Sequence, residues 1–317
     1  MRVAPTPSAR MKPRIASLAV FPWLLMAVAP ASIASPADHA SSLCAASSRT
    51  DAVQTRRATL AGVPVMVRMP AHVSRPPILL WHGFGPPASE AAMMEALPLD
   101  DVPAVKVYLG LPLFGDRAPA GGMKELARRQ AEDLGLQVFK PVVVGAGDEL
   151  PGVARALQQQ GCLKPGEAIG LVGFSAGGAA ALYALSQRRL PVASAVLINA
   201  STGLTASVQA FEQATGKTYA WSPASRELAR QTDAVDHASE IAAATPPPAL
   251  LFLRGAEDSV IDTQATTDLE ARLKPQYRDH AQRLEFRQLQ GVPHQWAADP
   301  QALANVRRAV ADWFVAH

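Results

Sequence analysis

The sequence predicts an α/β fold, a mostly parallel central sheet covered by helices on both faces, and three observations predict it. Short continuous apolar runs recur along the chain (Ile78–Trp81, Val102–Leu109, Ala168–Val172, Val192–Asn199, Ala249–Leu253). Runs of that length without polar alternation are strands buried on both faces. Helix-compatible segments separate them at the spacing of parallel βαβ units. Several of the runs empty into turns that carry His, Ser or Asp, and an open α/β sheet gathers its ligands just past the carboxyl ends of its strands.

The elements follow in order. Arg56–Met69 alternates like strands, with Ala61-Gly62 as the turn of a hairpin at a sheet edge. Pro76-Pro77 launches Ile78–Trp81, which runs into His82-Gly83-Phe84-Gly85. Residues 88–97 are helical and Pro98 stops them. After the strand Val102–Leu109 comes a Pro/Gly-rich loop to Gly122, then a helix over Met123–Leu136. The stretch Val138–Gly147 reads as loop or short strand, and Asp148–Gln160 as a helix closed by Gly161. Residues 200–245 hold helical patches but no strand, so they read as a cap inserted over the rim of the site. Ala249–Leu253 and Leu284–Leu289 are the last strands, with a helix over Thr263–Leu273 between them. A closing helix spans 300–316, with Leu303, Val306, Val310, Trp313 and Phe314 on one stripe.

Composition bounds the function. The chain has 317 residues and is 49% hydrophobic, enough for one large core. Its formal charge of +3 comes from the first 34 residues, which hold four basic side chains and no acidic one. The remainder carries 26 basic against 27 acidic residues, so no phosphate-binding footprint for nucleic acid is expected. The same leading segment has a basic stretch ending at Arg14, an apolar run over Ile15–Ala29, and Ser32-Ile33-Ala34. That is the layout of a secretory signal peptide over residues 1–34, followed by an arm over 35–55 and a single domain over 56–317. Export to the periplasm or the medium permits one disulfide between Cys44 and Cys162; two separate thiols fit the sequence equally. There is no metal-ligand spacing, no nucleotide-binding glycine frame and no other apolar run long enough to cross a bilayer, so neither metal nor cofactor is expected.

The chemistry concentrates at Gly173-Phe174-Ser175-Ala176-Gly177. It follows a buried strand and opens a helix, the setting a G-x-S-x-G turn needs to hold its serine in a strained conformation. Side chains at 173 or 177 would collide where strand and helix nearly touch. Acyl transfer by a serine also needs a base, a carboxylate that orients the base, and N–H donors for an oxyanion. His294, after the last strand, is the best-placed base; His39 and His317 lie in tails, His72 precedes the core strands, His237 is in the insertion, His280 ends a helix, and His82 is the nearest rival. Asp258 is preferred over Glu257 and Asp262 because a one-residue step turns the side chain away and Asp262 already enters a helix.

These motifs together resemble the α/β-hydrolase superfamily. The resemblance runs from about Arg56 to His317 and rests on His82-Gly83-Phe84-Gly85, Gly173–Gly177, Arg254-Gly255-Ala256-Glu257-Asp258 and Pro293-His294-Gln295, in the order Ser, Asp, His. From Asp233 onwards the chain looks most like the dienelactone-hydrolase and prolyl-oligopeptidase-like branches. The resemblance implies Ser175 as nucleophile, His294 as general base and Asp258 as its orienter, with the amides of Phe84 and Ala176 as the oxyanion hole. Phe84, Phe174, Tyr219, Trp221 and Trp296 are the candidate pocket residues. The expectation is an exported serine hydrolase acting on a small-molecule acyl substrate, an ester first, through an acyl-Ser175 intermediate. A peptidase or amidase, an acyltransferase, and a non-catalytic binding protein on the same scaffold are the alternatives.

Overall fold

The computed structural model describes residues 42–44 and 52–317. Residues 1–34, where a signal peptide is expected, and most of the arm lie outside the described residues. No helix among the described residues is long and apolar enough to cross a membrane.

Among the described residues eight strands form one sheet: β1 (Gln54–Leu60), β2 (Val63–Met69), β3 (Ile78–Trp81), β4 (Lys106–Leu109), β5 (Ile169–Phe174), β6 (Val192–Ile198), β7 (Ala249–Glu257) and β8 (Leu284–Pro293). Their order is β1-β2-β4-β3-β5-β6-β7-β8. The hairpin β1–β2 pairs antiparallel, β2 joins β4 antiparallel, and every other neighbour is parallel. Side chains alternate between two cores, as the pleat requires. Leu79, Val107, Leu171, Leu197 and Phe252 face one; Leu80, Tyr108, Val172, Val196 and Leu251 face the other. The amphipathic helix α9 (Pro300–Ala316) covers the second core with Val306, Val310, Trp313 and Phe314. On the same face lies α1 (Glu90–Ala96), capped by Ser89. The first core is covered by α3 (Gly145–Gln159) and the elbow helix α4 (Ala176–Gln187), among others.

Two expectations need correction. Strand β4 begins at Lys106 rather than Val102, because Pro103 has no N–H to offer a ladder and its carbonyl is taken by the amides of Ser74 and Arg75. The stretch read as loop or strand over Val138–Gly147 is helical. Helix α2 (Gly122–Asp133) is followed by a π-helical segment, Leu134–Val144, that runs into α3. Its β-branched residues suggested strand, but Leu134, Val138 and Val142, with Gly135, Phe139 and Val143, recur every fourth residue and are all buried. Burial of that face outweighs local preference. Asp133 opens the segment by accepting from the Leu136 amide.

The inserted region forms α5 (Leu204–Thr215), α6 (Pro223–Thr232) and the short α7 (Ala238–Ile241), joined to α6 by a turn of 3-10 helix over Ala234–His237. Cys44 and Cys162 are bonded, with Cα atoms 5.1 Å apart. Around that bond Leu43 donates its amide to Gln160 Oε1 at 2.9 Å.

Candidate active site

Ser175 occupies the turn between β5 and α4 at φ 52°, ψ −116°, in a left-handed region that a non-glycine residue enters only when its surroundings hold it there. The two glycines of the motif explain how. A Cβ at Gly173 would stand 2.3 Å from the Gly177 carbonyl oxygen, and one at Gly177 would stand 2.4 Å from the His82 oxygen. Strand, helix and the His82 turn therefore touch through backbone alone. The Ser175 amide donates to Ile198 O at 3.0 Å, and its carbonyl accepts from Gly178, Ala179 and Ser201.

His294 and Asp258 meet this serine. His294 Nε2 lies 3.1 Å from Ser175 Oγ, and Nδ1 lies 3.0 Å from Asp258 Oδ2. The Asp258 side chain is almost wholly buried; its second oxygen accepts from the amides of Val260 at 2.8 Å and Ile261 at 3.2 Å. Both carboxylate oxygens are thus engaged, which fixes the direction in which Oδ2 points. A hydroxyl, an imidazole and a buried carboxylate in this chain are the arrangement that draws a proton from a serine as it attacks. Glu257 is exposed and Asp262 caps the next helix, α8 (Thr263–Leu273), through the Gln264 amide.

The rival imidazole, His82, is engaged elsewhere. It is fully buried; Nδ1 lies 2.8 Å from Gly83 O and Nε2 accepts from the Leu111 amide at 3.1 Å. That pattern fixes the neutral ring with its proton on Nδ1. Burial pushes its pKa down to about 4. It braces the loop that carries Phe84. Gly83 spends its own amide on Pro87 O at 3.2 Å.

Ser175 and His294 open into a cleft of about 360 Å³, with Asp258 buried behind the histidine. Phe84, Leu134, Phe139, Phe211, Val260 and Ile261 give it apolar walls, and Gln130, Ser201, Ser207, Thr215 and Gln295 add polar points. None of the described residues that line it is Asp, Glu, Lys or Arg. Ala176 lies beside Ser175, and Phe84 rests its ring on Phe114 at 4.9 Å, nearly parallel. Among the described residues no group of three or more His, Cys, Asp or Glu is placed to hold a metal.

Of the candidate pocket residues, only Phe84 lines the cleft; the other four are corrected. Phe174 is fully buried beneath the His294 ring, 5.3 Å between centroids, and Trp296 meets it edge-on at 5.7 Å. Both belong to the core that supports the histidine turn. Tyr219 and Trp221 pack against each other at 5.0 Å, and the Tyr219 hydroxyl donates to Asp133. Their partners are the insertion and the head of the π-helical segment, so they steady the wall from behind. The other lining aromatics come from the segment expected as loop or short strand, which carries Phe139, and from α5, which carries Phe211. Asn199, in sequence only the end of a strand, has a side chain that touches the turns of both His294 and Asp258. Its signal was a lone buried amide closing an otherwise apolar run.

No curated protein sequence matches the chain. Among solved structures it is similar to TT1662 from Thermus thermophilus, at 19% identity over 83% of this chain and 98% of that one, with a TM-score of 0.58. It is also similar to Porphyromonas gingivalis dipeptidyl peptidase 4, at 13% identity, 85% and 36% coverage and a TM-score of 0.56. A hormone-sensitive lipase from a metagenome library gives 18%, 84%, 85% and 0.55. At such identities these likenesses establish the α/β-hydrolase fold. The family model for the prolyl oligopeptidase family matches residues 147–317, more than half of the sequence. Beginning in α3 and running to the end of α9, the match takes in Ser175, Asp258 and His294 together, and the chain belongs to the prolyl oligopeptidase family of serine hydrolases.

Proposed function

We propose that the protein is an exported esterase that cleaves its substrate through an acyl-Ser175 intermediate. The observation that carries this reading is the two-sided engagement of His294, 3.1 Å from the serine hydroxyl and 3.0 Å from the buried carboxylate. Ser175 Oγ attacks the carbonyl carbon as its proton passes to His294 Nε2, and Asp258 stabilises the imidazolium. The oxyanion is met by the amide of Ala176, the first residue of α4, whose N–H has no partner within its helix, and by that of Phe84. Collapse of the intermediate expels the alcohol, which takes the proton from His294. Water, deprotonated by the same nitrogen, then attacks the acyl carbon and releases acid and free serine.

An ester is favoured over a peptide because the cleft is small, largely apolar and without a charged side chain. A substrate held by its amino terminus would need a carboxylate there. Export rests on the pattern of residues 1–34 and on the Cys44–Cys162 bond, which belongs to an oxidising compartment. Short p-nitrophenyl esters, peptide amides and a fluorophosphonate probe test the reading. Ester turnover and labelling are expected, both lost in Ser175→Ala. Unchanged ester hydrolysis in that variant refutes it, and faster turnover of peptide amides than of esters makes the enzyme a peptidase.

A further inference from the structure

We propose that Asn199 is a positioning residue that holds the His294 and Asp258 turns at their working separation from Ser175; the proposal rests on the triad reading above. Asn199 follows β6 directly, between the serine turn and the other two. It is buried, 3% exposed, and sits at φ 42°, a left-handed conformation that Asn tolerates better than other side chains with a Cβ. Its backbone amide donates to Leu253 O at 2.8 Å, in the strand that leads to Asp258. Its side chain then reaches in two directions. Oδ1 accepts from the Gly255 amide at 2.7 Å, three residues before Asp258. Nδ2 donates to Pro293 O at 3.0 Å and to His294 O at 3.2 Å.

That distribution uses both amide hydrogens and one carbonyl lone pair. No hydrocarbon side chain makes either set, and no carboxylate makes the two donations. The need is local. At Gly255 the ladder between β7 and β8 shifts register, and a Cβ there would stand 2.0 Å from Val292 O. The register resumes at Glu257 and Pro293, so the ladder is irregular just where both turns begin. Past that point the Asn199 amide ties β6, β7 and β8 together. Ser175 hangs from the same place, its amide on Ile198 O. One strand end thus references all three functional turns, the serine turn through Ile198 O and the other two through the Asn199 side chain.

The test is Asn199→Asp, which keeps shape, left-handed tolerance and an acceptor for Gly255 but faces the carbonyls of Pro293 and His294 with an oxygen that donates nothing. The full chain is assayed with p-nitrophenyl esters, with Ser175→Ala alongside. The expected result is a fall in kcat of about 100-fold, the cost of displacing a reacting group by about 1 Å. KM stays within twofold, Tm falls by several degrees because two buried carbonyls lose their donor, and fluorophosphonate labelling slows by the same factor as kcat. The low-field proton resonance of the His294–Asp258 hydrogen bond should move or vanish, a readout independent of turnover. If the parent neither turns over esters nor takes the label, the esterase reading fails while this resonance still judges Asn199. A folded Asn199→Asp with kcat within threefold and an unmoved resonance overturns the proposal. Asn199→Ala is the second variant. If neither variant folds, the residue is a folding determinant, and the proposal is overturned as well.

Discussion

Replacing Gly177 by alanine puts a single methyl group where the structure has no room, and its effect can be worked out. The added Cβ would stand 2.4 Å from His82 O and 2.7 Å from Trp81 O. Both are backbone atoms of the strand end that carries the Phe84 loop, so neither can rotate aside. Reaching even 3.0 Å, a separation real Cβ contacts essentially never undercut, requires the start of α4 to retreat by at least 0.6 Å. Overpacking of this kind costs about 1–3 kcal/mol, which lowers Tm by roughly 2–10 °C in a domain of this size. The larger effect falls on activity. The Ala176 amide moves with the helix, away from Phe84 across the cleft, and a shift approaching 1 Å costs about 100-fold. Gly145→Ala is the control. Its nearest neighbour would be Pro112 Cγ at 3.6 Å, and its φ of −57° is helical, so it should gain roughly 0.5–1 kcal/mol from the lower entropy of the unfolded chain. Both variants are followed by thermal melts and ester kinetics. If Gly177→Ala keeps the parent's kcat and Tm, the close approach of helix to strand end is not as described.

Two further perturbations act away from the elbow. Burial holds His82 neutral, with its pKa lowered to about 4 from an ordinary 6.5, so the unfolded chain takes up the proton first. The stability this contributes is full above pH 6.5 and is lost as pH falls towards 4, by about 3 kcal/mol. Urea midpoints of the parent should drop across that window and those of His82→Gln should drop less; equal slopes refute the assignment. The Cys44–Cys162 bond closes a loop over a sequence separation of 118, for which chain entropy sets a contribution of about 5 kcal/mol as a ceiling. Reduction, or Cys162→Ser, should cost about 2–5 kcal/mol in denaturant melts, and an unchanged midpoint under reductant would mean that the bond does not form.

The parts of the site legible in the sequence are those whose requirement is local. A strained serine turn needs small residues at fixed offsets, so Gly173 and Gly177 announced it without a partner in view. His294 and Asp258 were legible through position, each just beyond a strand that reads clearly as buried. The pocket aromatics were misplaced because nearness to a motif along the chain is not nearness in space. Trp296 stands two residues from His294 yet turns into the core, and Tyr219 and Trp221 face each other. The π-helical segment was misread for a different reason. Val138, Val142, Val143 and Val144 favour strand locally, and only the four-residue recurrence of buried positions, read across Pro141, opposes that preference.

Asn199 marks the boundary between the two kinds of information. Its function depends on Gly255, Pro293 and His294, residues 56, 94 and 95 positions away, and no pattern within a window of sequence encodes such a convergence. What the sequence does carry is the cost. A carboxamide at the end of a strand buried on both faces must find partners or lose about 1–3 kcal/mol for each group left unpaired. A polar residue in that position therefore predicts a network before any partner is known. In a parallel sheet the partners can only be the turns leaving neighbouring strands, where the functional groups of such folds collect. The same reasoning singles out Gly255, whose lack of a side chain lets Val292 O come close enough for one amide to span both turns.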